Sequence, residues 1–429
     1  MKWRNQLLAL FCLIAFFAFG VFYFRTWVVQ KPFGIILFIG EGLDSSRVAA
    51  ARIYAGGPGK PLALDSFAYT ALLKNHSKDF ATPDQAAAAT ALATGMRVKN
   101  GAIAVDEDGK ALENLLELAR RSGRMTGLVT NTLLTDATPA SFYAHAETGV
   151  DREGLARDLV EKADIDVVLG GGSADFFPSA KNGRRTDGKD LLLELRSAGY
   201  DLVQNREELE AVPRWRAAKL FGVFGSAELA FADEENLGDD RPRLADMVRR
   251  SIELLQFNSG GYLLIVDAGL MRKSAQQNQG ERTLLETVEL DRAISVALEY
   301  AGTKSTIFVC GDVAIGGLVL NGHPPRNEGG SFLERKDPGT TSRLTWATGP
   351  NGPEAPLPQD AEGAVGKTAA GESSSPAGIS RATEPAAAYS ETAQTIANDV
   401  VAFGTGLGAD ALHGTLENTA MFQIIRDNL

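Results

Sequence analysis

The sequence predicts an α/β protein: a three-layer α/β/α sandwich around a large, mostly parallel central sheet. Three observations carry this. Short apolar, partly β-branched runs recur along the chain, and each closes on Gly, Asn, Asp or a Gly-rich turn. Segments with helical patterning lie between them. Carboxylates fall at or just past the ends of several runs. Strands alternating with helices build parallel sheets covered on both faces, and sites in such sheets lie beyond the carboxyl ends of the strands.

In chain order, the first element is an N-terminal apolar run. It extends from Leu7 to Phe24, behind Lys2 and Arg4. Its length is close to that of a membrane-spanning helix. It closes on Phe22-Tyr23-Phe24-Arg25, which suits an interfacial belt and lacks a small-x-small cleavage signature. Residues 1–30 therefore read as an uncleaved signal anchor, with the body outside the cytoplasm, periplasmic or extracellular. Secretion after signal cleavage is the alternative. Cys12 and Cys310 are the only cysteines, which excludes a disulfide framework.

Residues 31–429 read as one domain. Phe33 to Leu43 is a buried strand running into Gly-Glu-Gly. Further strands are expected at Gly123 to Asn131, Asp166 to Gly172, Gly261 to Gly269 and Ser305 to Asp312. Helices are expected over Ala111 to Gly123 and Thr283 to Gly302. Segment 349–385 is rich in Gly, Ala, Ser and Pro without apolar periodicity, so it reads as a flexible surface insertion. Net charge is -11, which disfavours a nucleic-acid partner.

The stretch Thr82 to Ile103, TPDQAAAATALATGMRVKNGAI, is the most site-like. Asp84 is a good N-cap, and the alanines after it form a slim helix whose N-terminus suits an anion. Position 85 points from the first helical turn. A Ser there would serve as a nucleophile, but the residue is Gln85, and an amide is not nucleophilic. An ordinary capped core helix is the plain alternative.

With LFIGEGLDSSRVAAARIY, LLTDATPASFYAH, VVLGGGSADFF, IVDAG, CGDVAIGGLVLNG and HGTLENTAMFQIIR, this stretch resembles the alkaline phosphatase family, in family order over Phe33 to Leu429. The resemblance implies an alkaline-phosphatase-like sandwich and phosphomonoester hydrolysis through a phosphoserine, two zinc ions and one magnesium ion. It also suggests a homodimer, by analogy alone. Gln85 stands where the family places its nucleophilic Ser, so no catalytic residue is assigned. The first zinc site matches Arg272, Gln276 and Thr395, none a credible zinc ligand. The second matches Glu41, Gln85, Asp312 and Val313, keeping two carboxylates but neither imidazole nor nucleophile. The phosphate-binding Arg matches Gly149, with Arg152 nearby as a substitute. The four histidines, His76, His145, His323 and His413, fall at no ligand position.

Glu41, Asp136, Thr138 and Asp267 match the magnesium ligands, and all are oxygen donors. The resemblance therefore implies one Mg²⁺ or Ca²⁺ there, with Asp312 adjoining, and no two-zinc centre. Two like charges 4 Å apart repel by roughly 4 kcal/mol at an effective dielectric of 20. A hard ion, a cation such as Arg272 or Lys273, or raised carboxyl pKa values must offset that repulsion. The expected protein is an inactive, membrane-anchored binding or scaffold protein. The alternative is a divalent-metal-dependent phosphate or sulfate ester hydrolase with an altered site, using water or a hydroxyl such as Thr82.

Overall fold

The computed structural model describes residues 2–23, 31–215, 219–234, 240–323, 333, 343–353 and 384–429. Among them the main sheet has ten strands. In chain order these are β1 (Gly34–Gly40), β2 (Tyr69–Lys74), β3 (Met125–Leu133), β4 (Val167–Gly171), β5 (Asp201–Val203), β6 (Leu220–Val223), β7 (Tyr262–Ala268), β8 (Thr306–Gly311), β9 (Val400–Thr405) and β10 (His413–Glu417). Across the sheet the order is β10-β2-β9-β8-β1-β7-β3-β4-β6-β5. All pairings are parallel except those of β9, which runs antiparallel between β8 and β2.

Central strands such as β1 and β7 are buried along their whole length because both faces of the sheet are covered there. In β1, Ile35, Leu37 and Ile39 face one buried cluster, while Ile36 and Phe38 face another. The nine helices used below are α1 (Lys2–Tyr23), α2 (Ser45–Gly56), α3 (Gln85–Thr94), α4 (Leu115–Arg121), α5 (Arg152–Glu161), α6 (Leu244–Leu255), α7 (Leu270–Gln276), α8 (Gly280–Tyr300) and α9 (Ala420–Asn428). Residues of α4, α5 and α9 fill the first cluster and residues of α6 and α8 the second. The three-layer sandwich is thus present, and each strand expected from sequence forms within a few residues of its predicted range.

Within α1, the segment Trp3–Val21 has a mean hydropathy of 1.7 and is long and apolar enough to cross a membrane. None of it is buried among the described residues. Most of the expected insertion at 349–385 lies outside the described residues.

Helix α3 is built by small residues. Every residue from Ala86 to Thr94 is buried, so only side chains of little bulk fit all round. Asp84 caps it by accepting from the Ala87 N–H, and Gly95 ends it in the left-handed conformation at φ 71°. A Cβ at Gly95 would lie 2.5 Å from the Phe422 ring of α9, so only glycine allows both the turn and the close packing.

Candidate functional site

The residues singled out by sequence converge at the carboxyl ends of the central strands. Glu41 follows β1, Asp267 lies near the end of β7 and Asp312 follows β8. Asp136 precedes a single helical turn, Ala137–Ala140, that contains Thr138. Glu41, Asp267 and Asp312 are fully or almost fully buried, and Asp136 is 7 % exposed.

Two side chains from helices enter this acidic cluster as donors. Arg272 of α7 donates from Nε to Glu41 Oε2 at 2.5 Å and from Nη1 to Gln276 Oε1 at 3.1 Å. Its Nη2 lies 3.5 Å from Asp136 Oδ2. Gln85, the first residue of α3, donates from Nε2 to Glu41 Oε1 and to Thr138 Oγ1, the latter at 2.9 Å. The orientation of the amide follows from chemistry, since a carboxylate only accepts and must be faced by the NH₂.

The flanks are also cationic. Lys273 Nζ bridges Asp136 Oδ2 at 3.1 Å and Glu228 Oε1 at 3.0 Å. Arg152 at the start of α5 approaches Asp136 Oδ1 at 3.8 Å. Arg47 of α2 lies behind the site and is almost completely buried. It donates to the backbone oxygens of Glu41 at 3.3 Å and Ile315 at 3.0 Å.

Asp267 and Asp312, which form no ion pair among the described residues, hold protons more tightly. Burial, reinforced by the Glu41 charge, raises Asp267 well above the carboxylate range. The same two causes raise Asp312 to about 7. Asp267 Oδ2 accepts from Thr130 Oγ1 at 2.7 Å, whereas its Oδ1 is buried without a partner among the described residues. Asp312 Oδ1 accepts from the N–H groups of Gly42 and Val313 at 3.0 and 2.6 Å, and its Oδ2 likewise has no partner among the described residues. Burial opposes the charge of Arg272, but Glu41 and Asp136 outweigh it and hold its pKa above the ordinary value.

This arrangement does not fit the ion expected at Glu41, Asp136, Thr138 and Asp267. Both oxygens of Glu41 are engaged by Gln85 and Arg272, and Thr138 accepts from Gln85. Asp136 faces Arg272 and Lys273. Among the described residues no group of three or more His, Cys, Asp or Glu is disposed to hold a metal. The first zinc position fits no better, because Arg272 is itself a cation.

Above the charges is a cavity of ≈ 550 Å³. Its lining includes Gln85, Arg272, Gln276, Gly149, Val313 and Thr395, so positions matched separately to different metal and phosphate ligands share one wall. Thr82 and Asp84 also line it. Both oxygens of Asp84 are occupied, by the N–H groups of Ala87 at 2.8 Å and Gly101 at 2.7 Å. The histidines lie elsewhere: His76 and His413 contact nearby backbone carbonyls, His145 pairs with Glu117, and His323 is exposed. Sequence reasoning did not find Arg47, Asn100 or Thr130. Asn100 was within the quoted stretch, and its signal would have been its place in the turn after α3.

A model of the alkaline phosphatase family matches residues 34–429. Alkaline phosphatase H of Pseudomonas aeruginosa (strain UCBPP-PA14) is 33% identical over 368 residues, covering 75% of each chain. The tissue-nonspecific alkaline phosphatase of Gallus gallus is 32% identical over 339 residues, covering 68% of this chain and 65% of its own length. Alkaline phosphatase from Thermus thermophilus superposes with a TM-score of 0.72 at 23% identity, covering 93% of this chain and 92% of that one. A variant of the enzyme from the Antarctic bacterium TAB5, with Mg in the site called M3, superposes at 0.69 with 22% identity, covering 93% and 98%. These likenesses to solved structures establish the fold. The match across nearly the whole body establishes the lineage: the chain belongs to the alkaline phosphatase family.

Proposed function

We propose that this family member is a non-catalytic, membrane-anchored protein whose body lies outside the cytoplasm and binds or scaffolds rather than hydrolyses. The observation that carries this is the Gln85 amide, held between Glu41 and Thr138 with the Arg272 guanidinium on the far oxygen of Glu41. The first turn of α3 thus offers an amide where the family's mechanism needs an attacking hydroxyl. The position where external cations would neutralise a phosphoryl group is held by a cation of the chain itself. Arg272, Lys273 and the raised pKa of Asp267 and Asp312 together offset the carboxylate repulsion.

The full-length protein, solubilised in detergent, is expected not to hydrolyse an aryl phosphate with Zn²⁺ and Mg²⁺ supplied. Gln85→Ser alone restores nothing, because Arg272 and Gln276 still occupy the first zinc position. Zinc-dependent turnover well above a Gln85→Ala control overturns the proposal. Turnover lost in Thr82→Ala would point instead to the altered hydrolase, since Thr82 lines the same cavity.

The anchor rests on α1, with Lys2 and Arg4 at its start and no obvious cleavage site after it. The protein is expected to stay in the membrane fraction after a high-salt wash and to keep its first residues. N-terminal sequencing that begins near Arg25 would show a cleaved signal instead.

A further inference from the structure

The cavity above the buried charges presents little free charge to a ligand. Arg272 is committed to Glu41, Asp136 and Gln276. The N-terminus of α3, where a helix would ordinarily receive an anion, is closed by the carboxylate of Asp84. Neutral polar groups are uncommitted. Gln85 Oε1, Gln276 Nε2 and Asn100 Nδ2 make no hydrogen bond among the described residues, although the opposite end of each amide is fixed by one. The site therefore offers one firmly oriented acceptor and two oriented amide donors, with the hydroxyls of Thr82 and Thr395 on the same wall. No described lining residue is aromatic, so a flat apolar ring finds no stacking face.

We infer that this cavity takes a neutral, hydroxyl-rich ligand, a polyol or a saccharide unit, in place of a phosphate ester. Each hydroxyl both donates and accepts, which matches an array of free amide oxygens and nitrogens. An anion would shed its hydration beside the Asp84 carboxylate without gaining an unpaired cation. The volume of ≈ 550 Å³ suits one or two sugar rings and lies within the usual range for small-molecule sites. The inference rests on the non-catalytic reading, and its test separates the two.

Full-length protein in detergent micelles is titrated with myo-inositol, methyl glucoside, glucose 6-phosphate and inorganic phosphate, and applied to an array of neutral, sulfated and phosphorylated oligosaccharides. Saturable binding is expected in a neutral arm, about tenfold or more tighter than the phosphorylated counterpart. It should be equal at low and high salt, since no exposed ion pair is involved. The monomer and array arms distinguish a free polyol from a glycan terminus. Gln276→Glu keeps Oε1 as the acceptor for Arg272 but replaces the free amide nitrogen with an oxygen that only accepts. It is expected to weaken neutral-ligand binding about tenfold or more while leaving the melting temperature in place. Tighter binding of the phosphorylated probes, no binding in any arm, or an indifferent Gln276→Glu each overturn the ligand class. Release of phosphate from glucose 6-phosphate overturns the non-catalytic reading itself.

Discussion

Arg272→Ala is expected to destabilise the protein by about 3–5 kcal/mol, the loss typical when one partner of a buried ion pair is removed. Arg272 is 7 % exposed and its Nε lies 2.5 Å from the fully buried Glu41. Without it, the Glu41 carboxylate keeps only the Gln85 amide among the described residues, while Asp136 still has Lys273 and, at longer range, Arg152. Glu41→Gln added to Arg272→Ala removes the stranded charge and should recover a large part of the loss. The parent is expected to melt at the same temperature with and without Mg²⁺ or Ca²⁺. A resident site at a hundred times its dissociation constant would add about 2.7 kcal/mol. Calorimetric melts of the parent, Arg272→Ala and the double variant provide the check. A rise with Mg²⁺ in the parent, lost in Asp136→Ala, would reinstate an ion at the oxygen ligands.

Phe308→Ala and Phe38→Ala should each cost about 3–5 kcal/mol in chemical denaturation, the range for emptying a buried aromatic position. Both rings are completely buried, one in each of the two clusters that sandwich the sheet. A two-layer protein would lose stability at only one of these neighbouring strands. A loss below about 1 kcal/mol at either position would mean that its face of the sheet is not closed.

The central strands were legible because burial on both faces leaves an uninterrupted apolar run, as in GIILFIG. Helix α3 was legible from Asp84, its alanines and Gly95, all of which act locally. Strand β2 was not, because most of it is exposed and only Ala71 and Leu73 are buried. The antiparallel course of β9 depends on partners distant in the chain, β8 and the far more remote β2, a feature no local pattern records. At the site, the sequence showed which side chains were present but not how they pair. Arg272 at a zinc-matched position is compatible with an arginine turned outward or inward, and only its packing against Glu41 decides. Arg47 was missed because a lone arginine on an alanine-rich helix reads as solvated. Here its headgroup caps buried backbone carbonyls.

The placement of β9 has a consequence for how the molecule comes into being. Strand β2 is made early, yet in the sheet its neighbours are β9 and β10, which follow it in the chain at long range. Until Val400 emerges, β2 has neither edge satisfied, and the β8 edge that receives β9 is also open. Such long-range closure is slow, and unpaired strand edges invite association between chains while they wait. A nascent chain that stalls before β9 therefore holds a sheet without its final wedge, and its assembly waits on the arrival of β9.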